Sequence, residues 1–271
     1  MLVEDVGQGD VTSEAVVPAG LMANAQVLAK EDGIAAGIEE IVIFAESLGL
    51  NIDAKVTDGD EIKKGTVILK ISGNARVILS AERTLLNLLS RMSGIATLTR
   101  RLTEKLRKAN LKAKIAATRK TAPGLLYFDK KAVLVGGGDP HRLRLDDMIL
   151  LKDNHVAIAG SVERAVKKAK AVSADKKIET EVTSTSEALN AAKSGADIVM
   201  LDNFSPEQVR EAVAALKKAG FFGKILLEVS GGITEENLLD YGLTQVDIIS
   251  MGALTHSVKA LDISLEIVNT S

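Results

Sequence analysis

The chain has 271 residues, 46% hydrophobic and 26% charged, with 34 Lys and Arg against 36 Asp and Glu for a formal net charge of −2. That balance excludes a broadly basic nucleic-acid-binding surface, and the absence of cysteine excludes disulfides, thiolate zinc sites and a cysteine nucleophile. No window approaches ~18 uninterrupted apolar residues, and no basic stretch leads into an apolar signal core, so a cytoplasmic protein of one barrel or two domains is expected.

Residues 1–20 are rich in turn formers and hold no periodic pattern. From Leu21 to Gly73 the texture is strand, helix, strand. Residues 25–29 read as a strand, 38–48 as a helix, and 66–72 as a strand alternating Val67, Leu69 and Ile71 inward. The piece D-G-D-E-I-K-K-G-T-V-I-L-K-I-S-G is similar to the turn-strand pattern of lipoyl-type domains but lacks a modifiable lysine at a hairpin tip. It reads as structural. Residues 81–109 form a long helix whose Leu85, Leu88, Leu89, Met92, Leu98, Leu102 and Leu106 make one apolar stripe. Arg83 falls in its first turn beside Glu82, where the residues alone suggest a local ion pair.

Beyond Ala113, short apolar runs alternate with helices. Candidate strands cover 114–117, 132–135, 148–151, 178–182, 198–201, 225–229 and 248–251. Helices near 160–172, 186–194, 205–219 and 235–240 open on capping signals: Ser161, the Ser205-Pro206-Glu207-Gln208 box, and Thr234 before Glu235-Glu236-Asn237. Seven strands with crossover helices predict a parallel α/β unit, and their spacing favours a barrel.

In such a barrel the loops after the strands carry the site. Here they hold Arg119, Lys120, His141, Arg142 and Lys152, a group suited to a small polyanion. Small residues end the last two strands, in Ser230-Gly231-Gly232 and Ser250-Met251-Gly252, where backbone N–H groups can approach a phosphate. Glu181 and Asp202 are acids in this cationic mouth and require cations, hydroxyls or a metal as partners. A structural pairing of either with Arg119 or Lys152 is the alternative.

In order, the motifs T-R-K-T-x-P-G, G-G-G-x-x-H-R, K-D-N-H, E-x-E-V, L-D-N, S-G-G and G-A-L-T-H resemble the quinolinate phosphoribosyltransferase family. The opening E-D-V-G-Q-G-D-V-T-S resembles that family's N-terminal segment, so the likeness spans essentially the whole chain. It implies a type II phosphoribosyltransferase: an N-terminal α/β sandwich domain over 1–95, with a C-terminal helix 257–271 packed on it, and an incomplete parallel α/β barrel over 96–256. It also implies an assembly of at least a dimer. Thr118, Arg119, Lys120, His141, Arg142 and Lys152 would bind quinolinate and the diphosphate. Glu181 and Asp202 would hold the ribose and Mg2+, and the two small-residue strand ends, with His256, the 5′-phosphate. Lys120, Lys152, Glu181 and Asp202 would carry the catalysis, and Arg83 would reach a neighbouring subunit's pocket. Two positions depart from the family pattern. The E-D-V-G stretch begins at residue 4 where an additional helical segment often precedes it, and Leu126 stands where an arginine is usual.

Other readings of the same residues are a Schiff-base barrel aldolase using Lys120 or Lys152, and a related phosphoribosyltransferase for nicotinate or another aromatic acid. The first is opposed by ionic neighbours, which do not suit a lysine nucleophile. The second differs in releasing no CO2. A non-catalytic carrier built on the lipoyl-like segment would carry a covalent modification.

Overall fold

Strand β1, Met22–Ala29, buries every second residue: Ala23, Ala25, Val27 and Ala29 lie inside while their neighbours reach the surface. This is the period of a one-sided sheet. The computed structural model describes residues 1–173 and 175–271. They form two compact units, one of Met1–Arg100, Lys131–Gly137 and Val258–Ser271, the other of Arg101–Lys130 and Gly138–Ser257.

In the first unit, β1 is followed by β2 (Gly33–Ile34), β3 (Asn51–Ala54), β4 (Glu61–Ile62) and β5 (Val67–Asn74). Strands β1, β5 and β3 and the C-terminal strand Ile263–Thr270 make a four-stranded sheet, with β1 antiparallel to both β5 and the C-terminal strand. The expected C-terminal helix over 257–271 is therefore a strand. Ile263, Ile267, Val268 and Thr270 are β-branched and stiff, and Leu265 and Ile267 find Val27 and Ala25 as cross-strand partners. Residues 1–20, without visible periodicity, fold as short helices Leu2–Val6 and Val11–Val16, the second capped by Asp10. The long helix begins earlier than expected, at Ala75, and runs to Lys108. Asn74 accepts from the Arg76 N–H at 3.0 Å and marks the true start, so Arg83 lies well past the first turn, exposed on the helix surface.

The second unit is a parallel sheet of six strands: β6 (Lys114–Ala116), β7 (Ile149–Leu151), β8 (Ile178–Val182), β9 (Ile198–Asp202), β10 (Leu226–Ser230) and β11 (Ile248–Ser250). Their order is β6-β11-β10-β9-β8-β7. With helices between successive strands this is an incomplete α/β barrel. The expected strand over 132–135 is instead the end of the helix Leu126–Val135. Asp129, Lys130, Ala132, Val133 and Gly136 are the buried positions, a helical spacing, and Asp139 takes the place beside β6 through a bridge to Ala116. Two of the three capping signals act as read. Ser161 accepts from Arg164 N–H, and Ser205 with Gln208 forms a reciprocal box. Thr234 does not cap: the helix starts later, at Leu238, with Asn237 in the N-cap position making no capping bond and its Oδ1 accepting instead from Thr234 N–H.

Register sets the height of each side chain in the barrel. Glu181 is level with Met200, and Met200 with Glu228; one step nearer the carboxyl ends, Asp202 is level with Ser230 and Ser230 with Ser250. The polar residues of β8 to β11 thus meet at one end of the sheet.

Candidate active site

At that end lies a cavity of about 620 Å3. Among the described residues it is lined by Thr118, Arg119, Lys120, His141, Arg142, Lys152, Glu181, Asp202, Ser230, Gly231, Gly232 and Ser250, with Ala117, Leu150, Asp153, Met200, Asn203 and Glu228. Met251, Gly252 and His256 do not line it. Met251 is buried, and Gly252 packs between His256 and Lys120, since a Cβ on it would come 2.9 Å from the His256 ring and 3.3 Å from the Lys120 side chain. Thr255 Oγ1 donates to the Lys120 carbonyl at 2.8 Å, so this turn holds Lys120 from behind. Arg83 belongs to the other compact unit.

Each wall has a local cause. Lys152 is the N-cap of the helix Asp153–Ala159, and its N–H donates to His155 Nδ1 at 3.0 Å, which fixes its backbone and leaves the side chain free to turn inward. Lys152 Nζ meets Glu181 Oε1 at 2.6 Å. Asn203 Nδ2 donates to Asp202 Oδ2 at 2.9 Å and orients that carboxylate. Gly231, at φ 97°, must be glycine, because a Cβ there would collide with Asn203 Oδ1. Gly232, at φ 64°, extends the same bare backbone.

The least exposed part is built around His141. Its Nε2 lies 3.2 Å from Glu179 Oε2 and 3.3 Å from Glu228 Oε2, and both acids are fully buried. Burial alone would lower the pKa of His141, but hydrogen bonds and charge from the two acids outweigh it and raise it to about 10. Burial pushes the Glu179 carboxyl up, against the pull of His141 and Arg142. Arg142, 9% exposed, is held below its ordinary pKa by burial and by Arg119, while Glu179 and Glu181 offset this. Lys130 is buried too, and its Nζ donates to the Pro140 carbonyl just before His141. Burial brings its pKa down to about 8, with Asp139 opposing and Arg119 and Arg142 assisting.

Glu228 and Lys130 are not singled out by the sequence, and Glu179 stands out only with Glu181, in the E-x-E-V motif at the end of a strand, with no role of its own. The signal for the acids is a spacing of two: Glu179 precedes Glu181, and Glu228 precedes Ser230, each on the cavity-facing side of an otherwise apolar run. Lys130 sits in a helix that was read partly as a strand, which hid it.

The family model for the quinolinate phosphoribosyl transferase C-terminal domain matches residues 95–266, and that for the N-terminal domain residues 10–93. A probable carboxylating nicotinate-nucleotide pyrophosphorylase of Methanocaldococcus jannaschii is 49% identical over 269 residues, 97% of this chain and 93% of that protein. Its counterpart in Methanothermobacter thermautotrophicus is 46% identical over 98% of this chain and 96% of its own length. The crystal structure of NadC from Streptococcus pyogenes superposes with a TM-score of 0.89 at 37% identity, covering 99% of this chain and 94% of that one.

Proposed function

The chain belongs to the quinolinate phosphoribosyltransferase family, and we propose that the cavity in its six-stranded unit is where quinolinate and phosphoribosyl diphosphate become nicotinate mononucleotide, CO2 and diphosphate. One observation carries this assignment of the site. Five cationic side chains, Arg119, Lys120, His141, Arg142 and Lys152, share a single cavity with Glu181, Asp202, the strand end Ser230-Gly231-Gly232 and Ser250.

Quinolinate brings two adjacent carboxylates and phosphoribosyl diphosphate about five negative charges, so their meeting requires counter-charge against repulsion and desolvation. The five cations supply it. The pyridine nitrogen attacks the anomeric carbon, and the bond to diphosphate breaks as the new C–N bond forms. Lys120 and Lys152 take up the charge that develops on the departing oxygen. Ser230, Gly231, Gly232 and Ser250 offer short side chains and open backbone to the 5′-phosphate. Glu181 and Asp202 bind the ribose hydroxyls, and as a hard-oxygen pair in the same cavity they fit Mg2+, which when bound would screen the diphosphate. The quaternary ring nitrogen then draws electrons, the bond to the 2-carboxylate breaks toward the ring, CO2 leaves, and the ring carbon takes a proton. No bond to the protein forms, so catalysis rests on positioning and electrostatics.

The same reading makes the working protein at least a dimer, with Arg83 delivered to a neighbouring subunit's cavity, and sets it in the cytoplasm. No helix among the described residues is long and apolar enough to cross a membrane. The test is incubation with quinolinate, phosphoribosyl diphosphate and Mg2+ while diphosphate and CO2 are both counted. Equal amounts are expected. Turnover of nicotinate instead, without CO2, would favour the related aromatic-acid enzyme; no turnover of either would overturn the reading.

A further inference from the structure

Glu179 and Glu228 have no part in the chemistry above, yet both are fully buried beside the cavity. Glu179 Oε1 and Oε2 and Glu228 Oε1 find no hydrogen-bond partner among the described residues, so Glu179 meets His141 as an ion pair and Glu228 meets it through a hydrogen bond from Nε2 to Oε2. Two carboxylates buried at an anion-binding cavity oppose its purpose unless they hold cations in place. The cation they share is His141, with Nε2 3.2 Å from one and 3.3 Å from the other.

The backbone enforces the same pose. His141 adopts φ 53°, a left-handed conformation costly for a residue with a Cβ. Its N–H donates to Asp139 Oδ1 at 2.7 Å, and Lys130 grips the carbonyl of Pro140 before it. With Nε2 committed to the acids, Nδ1 is the ring's remaining polar atom, and His141 lines the cavity. Resting on the function proposed above, we propose that Glu179 and Glu228 are positioning residues: they clamp His141 so that the ring stands as a fixed cation, its Nδ1–H offered to a carboxylate of the aromatic substrate. The aromatic acid is the partner because the bare backbone that lines the cavity, Gly231 and Gly232, lies at the end of β10, and the glycines before His141 do not line it.

The charged groups around the ring are Glu179 from β8, Glu228 from β10, Asp139 and Arg142 from its own loop, Lys130 from the preceding helix, and Arg119 next to Arg142. The two acids outweigh burial and keep the imidazole protonated well above neutrality.

Ring-nitrogen NMR of the whole unliganded protein tests this directly, because the chain has only three histidines and His141→Asn identifies the signal. At pH 8.5 the wild type is expected to show His141 with both nitrogens protonated, and the Glu179→Gln/Glu228→Gln double variant to lose that signature. Glu228→Gln alone is expected to raise KM for quinolinate about tenfold, the loss of a charged hydrogen bond, with KM for phosphoribosyl diphosphate and kcat changing far less. Glu228→Asp, which keeps the charge, is expected to recover part of that loss. A neutral His141 ring in the wild type overturns the proposal whether or not the variants fold. So does a protonated ring that persists in the folded double variant, or an equal rise in both KM values. If the wild type turns over neither substrate, the functional reading fails, and the ring-nitrogen result alone decides whether the acids clamp the histidine.

Discussion

Lys152 Nζ lies 2.6 Å from Glu181 Oε1 in the open cavity. The cation assigned to the departing diphosphate and the acid assigned to the ribose are thus paired with each other in the cavity wall. The Lys152 side chain is 47% exposed, so the pair contributes little to folding. Lys152→Ala is expected to lower kcat roughly a hundredfold, as loss of one charge-stabilising group does, with an unchanged unfolding temperature. Arg142→Ala should differ. That residue is buried, and Glu179 and Glu181 bear on its charge while keeping His141 and Lys152 as partners, so its removal is expected to lower the unfolding temperature modestly through lost packing, as well as to cost activity. Turnover assays with thermal unfolding of both variants check this; near-normal turnover in Lys152→Ala would count against the cavity as the site.

Asp202→Asn and Glu181→Gln should weaken phosphoribosyl diphosphate binding more than quinolinate binding. Both acids are placed to meet hydroxyls or a divalent cation, not carboxylates. Titration calorimetry with each ligand separately is the measurement, and equal losses for the two would remove the role assigned to these acids.

The parts of the fold carried by local chemistry were legible in the chain. Ser161 and the Ser205–Gln208 box set helix starts, and six of the seven apolar runs expected as strands are strands. Residues 132–135 and 257–271 were misread because short apolar runs carry little periodicity, and tertiary partners decided their state. The convergence of Glu179 and Glu228 on His141 was not legible. It depends on register between β8, β9 and β10, which brings residues 38 to 87 positions apart to one nitrogen, and no local pattern reports that distance.

The raised pKa of His141 has a stability consequence with a definite sign. Its folded value is about 10 against an ordinary 6.5, so its contribution is fully present below pH 6.5 and is lost as pH rises toward 10. The stability gap between wild type and His141→Asn should therefore narrow from pH 7 to 10, by up to about 1.4 kcal/mol per pH unit. Lys130, with its pKa lowered, acts in the opposite direction above pH 8, but it is present in both proteins and cancels in the difference. Denaturant unfolding across that range is the check; a constant or widening gap would contradict the assigned charge.

Arg83 supplies the test of shared sites. If it serves a neighbouring subunit, inactive Arg83→Ala and inactive Lys152→Ala proteins should complement when mixed, because a mixed dimer holds one cavity with both residues intact. Random assortment gives recovery of roughly a quarter of wild-type sites from two-fold symmetry. No recovery after verified subunit exchange would mean that each cavity is complete within its own chain.

The most direct measurement follows one carbon. With quinolinate labelled only in its 2-carboxylate, the wild type should release labelled CO2 and diphosphate in a one-to-one ratio, and Lys152→Ala should release almost none of either. Labelled CO2 without diphosphate, or undiminished release of both by Lys152→Ala, would contradict the claim that this cavity joins the two substrates.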